Sequence, residues 1–175
     1  KKVISSGNAE LDGRMGGGLP VGSLTLIEGS SGSGKSVLSQ QIMWGALQDG
    51  FTVSAFSSEN SVKSLVTQMK SIDLDVFEFL LLGKFKIYPM ELSHLGEHAV
   101  EALVEVLKQE TQYGRDMIVI DSYTSVIIHT TKEQTVLRFF EECKRLCAEG
   151  ISVLVTMHAK AVAGELVGPI RSMCD

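Results

Sequence analysis

The eight residues GSSGSGKS at positions 29–36 constrain this chain more than anything else in it. They fit the pattern G-x-x-x-x-G-K-[ST], a loop whose backbone N–H groups wrap phosphate oxygens while its lysine reaches the terminal phosphates and its hydroxyl meets Mg²⁺. Gly29, Gly32 and Gly34 permit the tight curl and close backbone approach. Ser30, Ser31 and Ser33 fill the variable positions, Lys35 brings the charge and Ser36 the hydroxyl. The flanks agree with the motif. Leu24–Glu28 is a short apolar run of strand character, and from Val37 to Leu47 the residues Val37, Leu38, Gln41, Ile42, Gly45 and Leu47 recur at helical spacing. A strand, a glycine-rich loop and a helix whose N-terminus faces the loop form an anion site, because the first N–H groups of the helix have no partner within it. A plain flexible turn would need neither the flanking elements nor the Lys-Ser pair.

With 175 residues, 44% of them hydrophobic and 21% charged, the chain suits one globular domain. No apolar run approaches the roughly 18 residues that argue for a membrane span, and KKVISSGNAE lacks the apolar stretch of a signal peptide. The expectation is a soluble, cytoplasmic protein. A net charge of −5 gives no general attraction to nucleic acid. Cys143 and Cys147 lie four apart beside Phe139, Phe140 and Leu146, which reads as a buried helix face rather than a metal pair, since no further ligand is spaced nearby.

Strands are predicted at Val3-Ile4, Leu24–Glu28, Thr52–Phe56, Phe85–Tyr88, Met117–Asp121 and Ser152–Met157, with helices at about 35–49, 61–72, 95–112 and 133–148. This alternation predicts an α/β fold, a mainly parallel sheet with helices on both faces. Ile170–Cys174 reads as the start of one more strand, so the single domain over 1–175 is expected to continue past Asp175.

Four positions carry candidate chemistry beyond the loop. Asp121 ends an apolar strand, MIVID, as does the carboxylate that orients Mg²⁺ and its waters at nucleoside triphosphate sites; the alternative is a turn or helix cap. Glu59 follows the strand at 52–56 and is the candidate base for polarising a water, or else a carboxylate favouring the dipole of the next helix. His158 follows the strand at 152–157 and emerges at the same sheet edge, as a γ-phosphate sensor or a surface histidine. Arg171 is a candidate finger for a neighbouring subunit, whereas Arg138 and Arg145 read as solvated helix charges. His94, His98 and His129 show no metal-ligand spacing.

The chain resembles the RecA superfamily and, within it, the KaiC-like branch. The stretches that carry this are SGNAELD at 6–12, GGGLPVGS at 16–23, the loop itself and MIVIDS at 117–122. KSVLSQQ at 35–41, ENSVKS at 59–64, TMH at 156–158 and IRSMCD at 170–175 resemble the archaellum accessory ATP-binding group of that branch. The resemblance implies a RecA-like P-loop NTPase sheet in which the strands at 85–88, 52–56, 117–121, 152–157 and 24–28 lie in that order. It implies ATP with Mg²⁺ held by Ser36 and, through water, Asp121. It further implies homo-oligomeric rings, a hexamer among them, and docking onto the archaellum motor ATPase and its cytoplasmic scaffold, with the membrane reached only through that complex. Two departures qualify this. Clock proteins of the branch carry paired glutamates where this chain has Glu59-Asn60, which points to slow turnover and weakens the autokinase reading. The residues after His158, AKAVAGELVGP, form a loop short for a recombinase and with only Lys160 as a base. The expected function is a regulatory ATP-binding component with slow or absent hydrolysis; the alternatives are an active KaiC-like ATPase or autokinase and, last, a recombinase paralogue.

Overall fold

The computed structural model describes residues 2–30, 32–128, 130, 132–160 and 164–174. Ser31 of the phosphate loop and His129 lie outside the described residues, as does part of the segment after His158. The chain opens with a two-residue strand, β1 (Val3–Ile4), a short helix α1 (Ala9–Arg14) and the strand β2 (Leu19–Pro20), which pairs antiparallel with β1. Asn8 caps α1, its side chain accepting from the Leu11 N–H. Asp12 ties the turn down. It accepts from the Ser5 hydroxyl and from both the hydroxyl and the N–H of Ser6. Burial acts to raise the Asp12 pKa, but these hydrogen bonds outweigh it and hold the carboxyl below its usual range.

Five strands then build the main sheet: β3 (Leu24–Gly29), β4 (Val53–Ser57), β5 (Phe85–Pro89), β6 (Met117–Asp121) and β7 (Ser152–His158). Their order is β3-β7-β6-β4-β5 and every pairing is parallel. This is the order that the resemblance implies. All five strands therefore end at one edge, and β7 stands next to the strand that carries the phosphate loop, with β6 on its far side.

The two-residue period of the strands divides the core. Val53, Ala55, Met117, Val119 and Leu154 face one side, where α2 (Lys35–Gln48) contributes Ile42, Met43, Ala46 and Leu47 and α3 (Val62–Ser71) contributes Leu65 and Met69. α4 (Phe77–Leu81) leans on the same side through Phe79 and Leu80. Ile118, Ile120, Val153, Val155 and Met157 face the other side. That side is covered by α5 (Ala99–Glu110), α6 (Thr124–Ile127), α7 (Glu133–Ala148) and α8 (Gly164–Met173). α5 buries Val100, Leu103 and Leu107 and turns Glu101, Glu105 and Lys108 outward, as its spacing requires. In α7 the buried stripe is Val136, Phe139, Phe140, Cys143, Leu146 and Cys147. Both cysteines are thus core residues, and burial pushes the Cys143 thiol well above its ordinary pKa.

One expected element is corrected. Ile170–Cys174 is not a nascent strand: residues up to Met173 belong to α8, which begins at Gly164, so that part of the expected loop after His158 is helical too. The reason is spacing. Leu166 and Ile170 are buried against the α7 side and Met173 packs beside them, a period of about four residues that a strand, with its period of two, does not satisfy.

The N-terminal ribbon and α2 meet where the helix has no side chain. A Cβ on Gly45 would overlap the backbone of Ser5 and Ser6, and Gln41 Nε2 donates to the Ser6 carbonyl at 2.7 Å one turn earlier. Gly45→Ala is expected to destabilise the protein by about 1–3 kcal/mol, even though alanine is the better helix former, because close-packed backbone has nowhere to move. Urea unfolding of the two proteins measures the difference.

Candidate functional site

The phosphate loop leaves the end of β3 and turns directly into α2. Gly32 (φ 75°) and Gly34 (φ 88°) take left-handed backbone conformations, the second of them at the N-cap of α2. Gly29 has no such φ; a Cβ there would run into the Ser33 side chain, so this glycine serves close approach instead. Having no side chain, Gly34 makes no capping hydrogen bond to the first turn of α2, whose residues Lys35, Ser36 and Val37 line the cleft. Lys35 Nζ donates to the carbonyls of Gly29 (3.0 Å) and Ser30 (2.8 Å), which holds the ammonium across the mouth of the loop.

The sheet edge brings the other candidates to this loop. A cleft of about 460 Å³ is lined by Gly32, Gly34, Lys35, Ser36, Val37, Glu59, Asp121, Ser122, Thr124 and His158. Asp121 sits there because β6 lies one strand away from β3, and its odd-numbered position puts it on the α2 side of the sheet together with Met117 and Val119. Glu59 follows β4 and is exposed, while His158 closes β7 opposite Gly29 in register. The cleft thus brings together Lys35, Ser36, Val37, Glu59, Asp121 and His158.

Several hydroxyls that sequence reasoning did not single out hold this arrangement. Thr156 Oγ1 donates to Asp121 Oδ1 at 2.7 Å, and Ser39 Oγ stands 3.5 Å from Oδ2. A chain of backbone donors then runs along the strand ends. The Ser58 N–H donates to the Asp121 carbonyl at 2.9 Å, the Ser122 N–H to Ser58 Oγ at 3.1 Å, the Thr124 N–H to Ser122 Oγ at 3.1 Å, and the His158 N–H to Thr124 Oγ1 at 2.8 Å. The Asp121-Ser122 peptide bond is cis. The sequence signal for Thr156 is a hydroxyl inside the otherwise apolar run VLVTM; Ser58, Ser122 and Thr124 sit in polar segments that carry no distinctive pattern.

Asn60, beside Glu59, is turned away from the cleft. Its amide oxygen accepts from the Ser64 hydroxyl at 3.1 Å and its NH₂ approaches Gln68 at 3.5 Å, both on α3. Arg171 reaches back within the same chain, its Nε donating to Glu28 Oε2 at 2.9 Å in the strand that leads to the loop. No cluster of three or more His, Cys, Asp or Glu side chains that could hold a metal occurs among the described residues. The oxygen donors that the cleft does present beside the loop, the Ser36 hydroxyl and the Asp121 carboxylate, are of the kind that suits Mg²⁺, which keeps several waters and is usually bound through one or two carboxylates and the substrate's own phosphates.

Comparison with known proteins decides the family. The model of the KaiC ATPase family matches residues 4–168. The chain belongs to this family. Among its relatives is the archaeal flagellar ATP-binding protein FlaH of Sulfolobus acidocaldarius, 32% identical over 179 residues, which span 99% of this chain and 76% of that protein. FlaH of Methanocaldococcus jannaschii is 30% identical over 93% of this chain and 70% of its own length. The crystal structure of the M. jannaschii flagellar accessory protein FlaH superposes with a TM-score of 0.85 at 27% identity, covering 98% of this chain and 76% of that one. Among the described residues, no helix of this KaiC-family chain is long and apolar enough to cross a membrane.

The ion pair between Arg171 and Glu28 joins an exposed guanidinium to a carboxylate that is only 20% exposed. Arg171→Ala is expected to cost about 1 kcal/mol, the upper end for an ion pair with one exposed partner, and raising the salt concentration should shrink the difference. Urea titrations of both proteins at low and high ionic strength test this.

Proposed function

We propose that this chain is an ATP-binding regulatory component of an archaellum motor complex, its nucleotide state controlling ring assembly and its hold on the motor ATPase, with slow or absent hydrolysis. The observation that supports this is a complete phosphate-binding apparatus beside a sparse set of catalytic acids. The loop, Lys35, Ser36 and Asp121 line one cleft, whereas Glu59 is a single exposed carboxylate and its neighbour Asn60 is bonded into α3. The relatives named FlaH support the archaellum assignment.

In this reading the backbone N–H groups of Gly32 to Val37 and the Lys35 ammonium bind the β- and γ-phosphates. Ser36 and Asp121 would hold Mg²⁺, Asp121 through water, and the ion would neutralise phosphate charge. Asp121 orients, Glu59 accepts a proton from an attacking water when one is positioned, and His158 meets the γ-phosphate side of the cleft. An exposed general base gains little from desolvation, which suits slow turnover. A ligand that binds the assembled and free states with different affinity can still shift the equilibrium between them, in proportion to that difference.

A second reading, an ATPase that performs mechanical work, is favoured by the presence of Glu59 and His158 in the same cleft. Single-turnover hydrolysis and ATP affinity measured on one preparation, with and without the motor ATPase, separate the two. Regulation predicts tight binding, turnover well under about 1 s⁻¹ and ring assembly that changes with nucleotide. An engine predicts faster turnover that Glu59→Gln abolishes with binding retained. In both, Lys35→Ala should weaken ATP binding by about ten- to a hundredfold, because no other cation in the loop replaces it. Normal ATP binding by that variant would overturn the assignment of the cleft.

A further inference from the structure

The carboxylate of Asp121 has two oxygens, and each faces a hydroxyl from a different element. Thr156, on β7, donates to Oδ1 at 2.7 Å. Ser39, one turn into α2, stands 3.5 Å from Oδ2 and donates to the Ser36 carbonyl at 2.9 Å. Thr156 and Ser39 are both completely buried, and neither lines the cleft; Asp121 is half-buried and does.

The strand period accounts for the meeting. Leu154 faces the α2 side, so Thr156 does as well, and Ile120 pairs with Val155, which sets Asp121 beside Thr156. Elsewhere β7 fills the core with Val153, Leu154, Val155 and Met157. Valine has nearly the shape of threonine and an equal liking for strands, so packing alone gives no reason for a hydroxyl at this position. A buried hydroxyl costs free energy unless bonded, and the other acceptor near Thr156 Oγ1, the Ile120 carbonyl, is 3.5 Å away. The proton of Thr156 therefore goes to Asp121.

We propose that Thr156 is a positioning residue for the Asp121 carboxylate, fixing its orientation toward metal-bearing phosphates; the Ser39 hydroxyl, whose proton goes to the Ser36 carbonyl, only packs beside the other oxygen. The proposal rests on the reading of the cleft as a Mg²⁺-nucleotide site. A carboxylate at the end of a strand, open to a cleft on one side, can rotate about its side-chain torsions. A donor fixed on the neighbouring strand removes that freedom and occupies one inward lone pair, leaving the carboxylate's remaining acceptor capacity for the cleft. Thr156 itself touches no ligand, so its effect should appear only where the metal does.

Titration calorimetry with ATP, in excess EDTA and in excess Mg²⁺, gives the factor by which Mg²⁺ tightens binding. For Thr156→Val that factor is expected to fall about tenfold, the size of one hydrogen bond to a charged group, while affinity in EDTA stays within about twofold of the parent. Thr156→Ser, which restores the donor, should recover most of it. In an Asp121→Asn background, Thr156→Val should have no further effect on the factor. A Thr156→Val protein that keeps the full Mg²⁺ factor would overturn the proposal, as would equal losses in EDTA and in Mg²⁺, which mark a merely structural role. If Thr156→Val does not fold, Thr156→Ala takes its place with the same outcomes. A parent protein with no Mg²⁺ factor at all would instead overturn the reading of the cleft.

Discussion

Parallel pairing of β3 with β7, and of β7 with β6, sets three strand ends side by side, each followed by a residue of different chemistry. β3 runs into the phosphate loop, β7 ends in His158 and β6 ends in Asp121. Parallel strands require long crossovers, and the crossovers here are the helices that cover both faces. The same covering helices make the strands nearly pure apolar runs, so a polar side chain in one of them has to find a polar partner. The cleft exists where such partners gather at the end of the sheet.

Among the described residues, what holds the cleft is a set of short hydroxyl side chains and backbone N–H groups. Ser58, Ser122 and Thr124 accept from successive backbone donors and so link the segment carrying Glu59 to the strand end carrying His158. Such bonds are short-range and are little affected by salt, whereas the charges they support lie at the surface of the cleft, where solvent and ligand reach them. An ion pair near the loop, between Glu28 and Arg171, joins α8 to β3 from outside the cleft.

Much of this was legible in the sequence because the informative residues are local. GSSGSGKS needs only its own eight letters and its flanks, and MIVID announces a buried strand with a carboxylate at its tip. The five core strands and the helix at 133–148 follow from spacing alone. The short helices α1, α4 and α6, by contrast, have four to six residues each and too few turns for a periodic pattern. α8 was misread because Ile170–Cys174 is too short a stretch to show a period; its helical spacing emerges only when Leu166 is included and the face presented by α7 is known. Thr156 and Ser39 were not singled out for a different reason. Their roles depend on the register of β7 against β6 and on the rotation of α2, which are long-range facts, and a lone hydroxyl in an apolar run has no motif to betray it.

Gly45 and the turn at Ser5-Ser6 occupy space that only one of them can enlarge. Any residue with a side chain at position 45 needs a different path for the chain at 5–6, and that path in turn determines whether Ser5 and Ser6 still reach Asp12 and whether the Ser6 carbonyl still meets Gln41. Positions 5, 6, 12, 41 and 45, scattered over three elements, therefore form one unit of evolutionary change: a lineage that alters one of them is under pressure to alter the others, and covariation among these five should be stronger than their separation along the chain would lead one to look for.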